Sequence, residues 1–315
     1  VRRTAERLGY RPNAAAQALR TGRTHTIGVA VRQLSHPFFA AILEGIEGAC
    51  RAAGYHLLLG DVRSDEAEEK EIVTLLAHGR ADGLLVLGEL PDDEPAVRAA
   101  LRLGAPTVLV ARQALDHASG VALDHERAMA LALEHLRELG HRSVAMALPD
   151  PARPMPAAQM RAAAVDAYAA AHEWPAPRAL AVGESGVTAL AGMLENLLSR
   201  PPGVTAVLAS DGVAVRVLKA AQAAGIDVPR DLSIVALDGT PMTTLTTPEL
   251  TAVTQPLREI GAVAVAQLLE RLAERASDGA RRPRTGHASG TTTLEPQFTI
   301  RASTSGPRRA CDGRQ

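Results

Sequence analysis

The stretch 27–53, IGVAVRQLSHPFFAAILEGIEGACRAA, decides the architecture. Residues 27–31 are a short apolar run of strand length. After a polar turn, Pro37 suits the first turn of a helix, and apolar residues at helical spacing carry that helix to about residue 53. The same strand-then-helix unit recurs downstream. Short apolar runs at 56–60, 83–87, 106–110, 121–123, 143–148, 180–182, 205–209 and 232–237 read as strands. Between them, 65–78, 94–103, 124–139, 158–171, 185–198 and 211–224 read as helices. Apolar runs alternating with helices argue for parallel sheets covered by helices on both faces.

The units are too many for one small sheet, and the pattern restarts near Leu139-Gly140-His141. That predicts two similar lobes. A closed eightfold barrel is disfavoured by the end of the chain. There a strand at 251–254 leads to a long helix at 256–275, a polar Gly- and Arg-containing segment, and strands at 291–294 and 297–301. Residues 303–315 are polar and read as a disordered tail.

A length of 315 residues suits two domains. Hydrophobic residues are 46% and aromatic residues only 2%, so Ala, Leu and Val must do the packing. Each aromatic residue then needs a reason. Cys50 and Cys311 form no metal-ligand spacing and no disulfide framework, which fits a reducing cytoplasm. No secretory signal and no apolar run of membrane-spanning length is found.

Upstream of the first strand, residues 9–26 read GYRPNAAAQALRTGRTHT. Asn13 is a plausible N-cap for a short helix over 14–19, with Ala16 and Gln17 inside it and Gly22 closing it. Residues 1–25 hold six Arg and one Glu, a net of +5; the remaining chain holds 28 basic and 34 acidic residues, a net of −6. A basic arm on an acidic body suits phosphate contact by the arm.

The sequence resembles the LacI family of bacterial transcriptional regulators, from Val1 to about Ser303. The motifs lie in the family's order: AERLGYRPNAAAQALRTGRTHTIGV, SHPFFAAILEGIEGACRAAGY, ADGLLVLG, VALDHERAMALALEHLRELGHRSVAM, PRDLSIVALDGTPMTTLTTPELTAVTQPLREIGAVA and FTIRAST. The resemblance implies a remnant of a helix-turn-helix head plus a hinge helix over 1–26. It implies two periplasmic-binding-protein-like lobes joined by three crossovers, 27–125 with 256–283 and 126–255 with 287–302. A small polar effector, sugar or purine-like, would bind in the cleft, and the chain would pair as a homodimer, mainly through the first lobe's helices, or further as a tetramer. The hinge would dock in the minor groove of operator DNA, with Leu19 as an apolar wedge and Arg11, Arg20 and Arg23 on phosphates. A six-residue helix is marginal in water, so this one would form only on DNA. Specific operator binding would need the full head, and the chain as written here would not supply it.

The resemblance also implies a ligand site. Ser35, Phe38 and Phe39 open the first helix, and Phe38 is read as the aromatic turned to ligand. Arg161 falls where relatives carry an effector-binding Arg, whose planar fork suits hydroxyls or a carboxylate. The family's Gly three residues on is Ala164 here. Asp238 ends a strand, and ligands of open α/β sheets bind at the carboxyl ends of strands. Ser210-Asp211, after the strand at 205–209, is placed similarly; Ser210 stands where sugar-binding relatives often have Asn, which weakens a sugar as the implied effector. Asp124 is as well explained as a helix cap. No nucleophile elbow, phosphate loop, dinucleotide fingerprint or metal spacing is present. The expected function is therefore a ligand-responsive repressor, without cofactor or catalysis. A periplasmic-type sugar-binding or sensor protein is the alternative.

Overall fold

The computed structural model describes residues 7, 23–31, 33–62, 71–74, 80–88, 95–102, 104–115, 118–149, 156–183, 185–201, 203–277 and 290–308. The hinge positions Arg11, Asn13, Ala16, Gln17, Leu19 and Arg20 lie outside the described residues, as does most of the helix expected over 65–78.

The chain divides into two compact units and passes three times from one to the other. Unit 1 takes Val1–Ala122 and Leu257–Thr292; unit 2 takes Leu123–Pro256 and Thr293–Gln315. In unit 1 the strands are β1 (Thr26–Val31), β2 (His56–Asp61), β3 (Gly83–Leu87), β4 (Thr107–Val110), β5 (Ser119–Leu123) and β11 (Thr291–Leu294). Their order is β11-β5-β4-β3-β1-β2. The pairs β2–β1, β1–β3, β3–β4 and β4–β5 are parallel. In unit 2, β6 (Val144–Leu148), β7 (Arg178–Ala181), β8 (Ala206–Ala209), β9 (Ser233–Ala236), β10 (Thr251–Thr254) and β12 (Gln297–Thr299) run in the order β12-β10-β9-β8-β6-β7. Only β12 is antiparallel to its neighbour. Each sheet repeats one doubly wound order, with the first strand of the unit second from the edge and a switch point beside it.

The helices are α1 (Pro37–Ala52), α2 (Pro95–Arg102), α3 (His125–Glu138), α4 (Pro156–Ala171), α5 (Val187–Ser199), α6 (Asp211–Ala223) and α7 (Leu257–Ser277). β3 and β4 are buried at every position, as strands covered on both faces must be. In unit 2 one face of the sheet packs Leu190, Leu194, Val217 and Leu218 of α5 and α6. The other packs Met129, Leu133 and Leu136 of α3 with Val165 and Trp174. Among the described residues no helix is long and apolar enough to cross a membrane, and no group of three or more His, Cys, Asp and Glu could hold a metal ion.

In unit 1, α1 and α7 meet backbone to backbone. A Cβ on Gly45 would lie 2.0 Å from the Arg258 carbonyl oxygen, and one on Gly261 would lie 2.3 Å from that of Ile42. With so few aromatics in the chain, small residues gain packing by letting main chains approach.

The disorder expected over 303–315 does not hold at 303–308, which are fastened to unit 2; 309–315 lie outside the described residues. Ser303 is fully buried; its Oγ donates to the Ile234 carbonyl at 2.6 Å and accepts from Thr251 N at 2.8 Å. Ser305 N donates to Ser233 Oγ. His141 bridges Thr205 Oγ1 and the Ser305 carbonyl, each at 2.8 Å. The neutral ring suits both, with Nε2–H donating to the carbonyl and Nδ1 accepting from the hydroxyl. His135 Nε2 meets Thr304 Oγ1 at 2.9 Å. Polar composition suggested a free tail, but short hydroxyl side chains here complete a row of backbone bonds along β9 and β10.

Two expectations follow. Replacing Gly45 by Ala should cost about 1–3 kcal/mol of stability, the usual range for overpacking, read as a lower midpoint in urea. Burial holds both His141 and His135 below the ordinary imidazole value of 6.5. The folded rings stay neutral while the unfolded ones take protons, so their contribution is complete above pH 6.5 and is lost as pH falls below it. His141→Gln should flatten the fall in melting temperature between pH 6.5 and pH 5.

Candidate functional site

Three successive parallel strands of unit 2 end on polar residues that converge: β8 on Ser210 and Asp211, β9 on Asp238, and β10 on Gln255. Asp211, Asp238 and Gln255 are all at most 5% exposed. Arg161, on α4, reaches the same place. Its Nη2 donates to Asp238 Oδ1 at 3.0 Å, both side chains being buried. A charge-assisted bond of this kind, away from water, is among the stronger ones available to a protein.

The two aspartates brace each other. Asp238 Oδ2 accepts from Asp211 N at 3.2 Å, and Asp211 Oδ1 accepts from Asp238 N at 3.1 Å and Gly239 N at 3.2 Å. Asp211 Oδ2 takes both the amide and the hydroxyl of Thr240, each at 2.6 Å. Asp211 thus wraps the loop that follows β9. Gly239 in that loop has φ +70, and a Cβ there would sit 2.5 Å from Thr254 Cα, so both conformation and space require glycine. Burial, and then the charge of Asp238, push the Asp211 carboxyl up to about 6, against the lowering effect of its bonds from Thr240 and Asp238. Gln255 Nε2 donates to the Leu237 carbonyl at 2.6 Å and to Asp238 Oδ1 at 3.3 Å.

His125 opens α3 on the Arg161 side of this cluster. It is 6% exposed. Burial, and then the nearby Arg161 charge, hold its pKa down to about 3, so the ring is neutral throughout the physiological range. Its Nδ1 is buried without a hydrogen-bond partner, and so is Gln255 Oε1.

Of the residues singled out from sequence, Arg161 and Asp238 are brought together as a buried pair. Ser210 is half-buried at the N-cap position of α6, and its side chain makes no capping bond. Asp124 caps α3, its Oδ1 accepting from Arg127 N at 2.8 Å. In unit 1, Phe38 lies on the buried stripe Phe38–Ile42–Ile46–Cys50 of α1. Phe39 is half-buried against the His36 ring, with centroids 5.6 Å apart, and Ser35 is exposed. The aromatic left partly open is therefore Phe39, while Phe38 packs in the core. Sequence reading missed His125, Thr240 and Gln255. The strand-end rule that found Asp238 would also have found Gln255, one residue beyond β10. His125 had no such signal, because only the fold brings the start of α3 beside α4.

The family described as periplasmic binding protein-like domain matches residues 133–304. The HTH-type transcriptional regulator PtxS of Pseudomonas plecoglossicida is 34% identical over 275 residues, covering 85% of this chain and 77% of that protein. A LacI family transcriptional regulator from Mycobacterium smegmatis has a similar crystal structure, with a TM-score of 0.73, 28% identity, and coverage of 89% of this chain and 99% of that one. The transcriptional regulator CelR, solved as a cellobiose complex, has a TM-score of 0.74 and 25% identity, covering 96% of this chain and 89% of its own. With this likeness running through both units, and with a buried polar cluster at the strand ends of the second, the chain belongs to the LacI family of transcriptional regulators.

Proposed function

We propose that this regulator is a repressor whose affinity for operator DNA is set by a small polar effector, and that the Arg161–Asp238 pair is the effector's principal anchor. The observation that carries the reading is the position of that pair. It is buried, braced by Asp211, and placed at the carboxyl ends of parallel strands, where open α/β sheets take ligands. The cellobiose held by CelR supports a sugar as the effector class; a purine-like ligand is the second option. In unit 1 the candidates for ligand contact are Ser35 and Phe39. Binding, not catalysis, is the role assigned to this cluster. The minor-groove role of Arg11, Asn13, Ala16, Gln17, Leu19 and Arg20 is supported by the sequence motif.

Self-association as a homodimer is part of the same reading. It is supported by Leu245, 82% exposed, and Ile300, 64% exposed. These sit in neighbouring segments of unit 2, since Arg301 reaches the Thr243 hydroxyl at 3.2 Å. An apolar patch formed by such open side chains marks a contact surface.

Thermal-shift screening against sugars, sugar phosphates and nucleobases should identify the effector class by a raised melting temperature. Asp238→Asn should then weaken binding of the hit at least about tenfold, or about 1.4 kcal/mol, measured by titration calorimetry. Unchanged affinity would remove Asp238 from the site. Arg161→Ala should also lower the stability of the ligand-free protein by about 3–5 kcal/mol, because it strands a buried carboxylate. Leu245→Glu should shift the monomer–dimer equilibrium toward monomer in sedimentation equilibrium, with the circular dichroism spectrum unchanged.

A further inference from the structure

We infer that unit 2 takes an uncharged, hydroxyl-bearing ligand, and that His125 is a direct contact to it. The inference rests on the ligand site proposed above and narrows what that site accepts.

The charge balance of the cluster excludes an anion. Arg161 is the cationic side chain among its described members, and it is engaged by Asp238 at 3.0 Å. Asp211, the second carboxyl group, is held by three backbone amides and a hydroxyl from the protein itself. Asp238 takes one guanidinium nitrogen, Nη2, and a ligand carboxylate or phosphate on the rest of that group would place a third anionic group around one guanidinium, beside two buried aspartates. Burying that added negative charge without a cation of its own costs more than its bonds to Arg161 return. A hydroxyl meets no such conflict. It donates to the Asp238 carboxylate and accepts from a guanidinium in the same geometry, leaving the ion pair intact.

The second line is the unfilled hydrogen-bonding capacity. His125 Nδ1 and Gln255 Oε1 are both buried without partners in the same cluster, on side chains 6% and 5% exposed. A buried polar atom without a partner costs about 1–3 kcal/mol, so two in one cluster call for a function. The His125 ring is neutral, held so by burial and by Arg161. A neutral imidazole offers one donor and one acceptor nitrogen, which matches a hydroxyl and supplies no charge for an anion. The Ser210 hydroxyl, one residue before Asp211 and without a capping bond, is a further group of the same chemistry at this strand end.

The test uses matched pairs of probes: glucose with gluconate and glucose 6-phosphate, ribose with ribose 5-phosphate, and cellobiose with cellobionate. Titration calorimetry should show at least one neutral member binding, with its acid or phosphate counterpart at least about tenfold weaker. Equal or tighter binding of a charged counterpart that still depends on Asp238 overturns the charge inference and leaves the proposed site standing. A panel in which no neutral member binds, while a nucleobase from the screen above does so through Asp238, overturns the inference and leaves the proposed site standing; no binding by either set overturns both. For His125, two variants separate contact from support. His125→Leu removes an unpartnered buried polar atom, so the ligand-free melting temperature should hold or rise while affinity for the neutral sugar falls at least about tenfold. His125→Gln, which restores an amide donor and acceptor, should keep affinity within about threefold. Unchanged affinity in His125→Leu, with Asp238→Asn still defective, overturns the contact. A His125→Leu protein that melts lower and loses affinity together, unrescued by Gln, assigns the residue to packing and overturns it as well.

Discussion

The Asp211 carboxylate is the interaction on which the second unit's site depends. It stands at the first residue of α6, yet every bond it accepts comes from the loop after β9, at Asp238, Gly239 and Thr240. The loop is therefore tied to a helix and not left to its own torsions. Asp238 returns the contact through Asp211 N and turns its other oxygen to Arg161. Three elements, α4, α6 and the end of β9, are locked by two carboxylates. A ligand that engages the pair meets donors and acceptors already in place, so little of its binding energy goes into ordering them. The loop can pass this close to β10 only because residue 239 has no side chain.

The same economy of size runs through unit 1. Gly45 and Gly261 let α1 and α7 approach until backbone touches backbone. Elsewhere the interior relies on Ala, Val and Leu, and the single Trp and the Tyr168 beside it form a local exception, 5.6 Å apart at their ring centroids. Interiors built this way have little slack. Adding one methyl group at a glycine contact moves a helix, whereas losing one from a large core residue leaves a cavity.

Fold and site were legible in the sequence to different depths, for a physical reason. Strand and helix periods are local, so β3, β10 and β11 coincide with their expected bounds and the remaining described elements fall within a few residues of theirs. The doubly repeated sheet followed from the count of such units and their restart at Gly140. Asp238 was legible because a strand end is a local landmark, and Arg161 only through its place in the family resemblance, outside the quoted motifs. The brace between Asp211 and residues 238–240 spans 27 to 29 positions, and no local pattern encodes it. Residues 303–308 were misjudged for a related reason. Ser303 and Ser305 look like solvent-facing residues by type, but their hydroxyls complete backbone bonds of β9 and β10 that sequence cannot assign to them. Phe38 and Phe39 differ by one position and about 100° around α1; the core stripe through Ile42 and Ile46 selects Phe38 for burial.

The distribution of charge gives the two recognition tasks separate places in the chain. Residues 1–25 carry a net of +5 while the remainder carries −6. A polyanion is drawn to the first and repelled by the second, so the proposed phosphate contact belongs to the arm, and its strength would fall as salt screens it. Inside unit 2 the balance is struck differently. There one guanidinium faces one carboxylate, a second carboxyl group is saturated by amides, and a histidine is kept neutral by burial. A site of that kind gains little from long-range attraction and discriminates by the placement of hydroxyl partners. Its ligand affinity should therefore be nearly indifferent to ionic strength while nucleic-acid binding is not. On the proposed function, that difference would let one chain read a polyanion and a neutral ligand without either competing for the other's contacts.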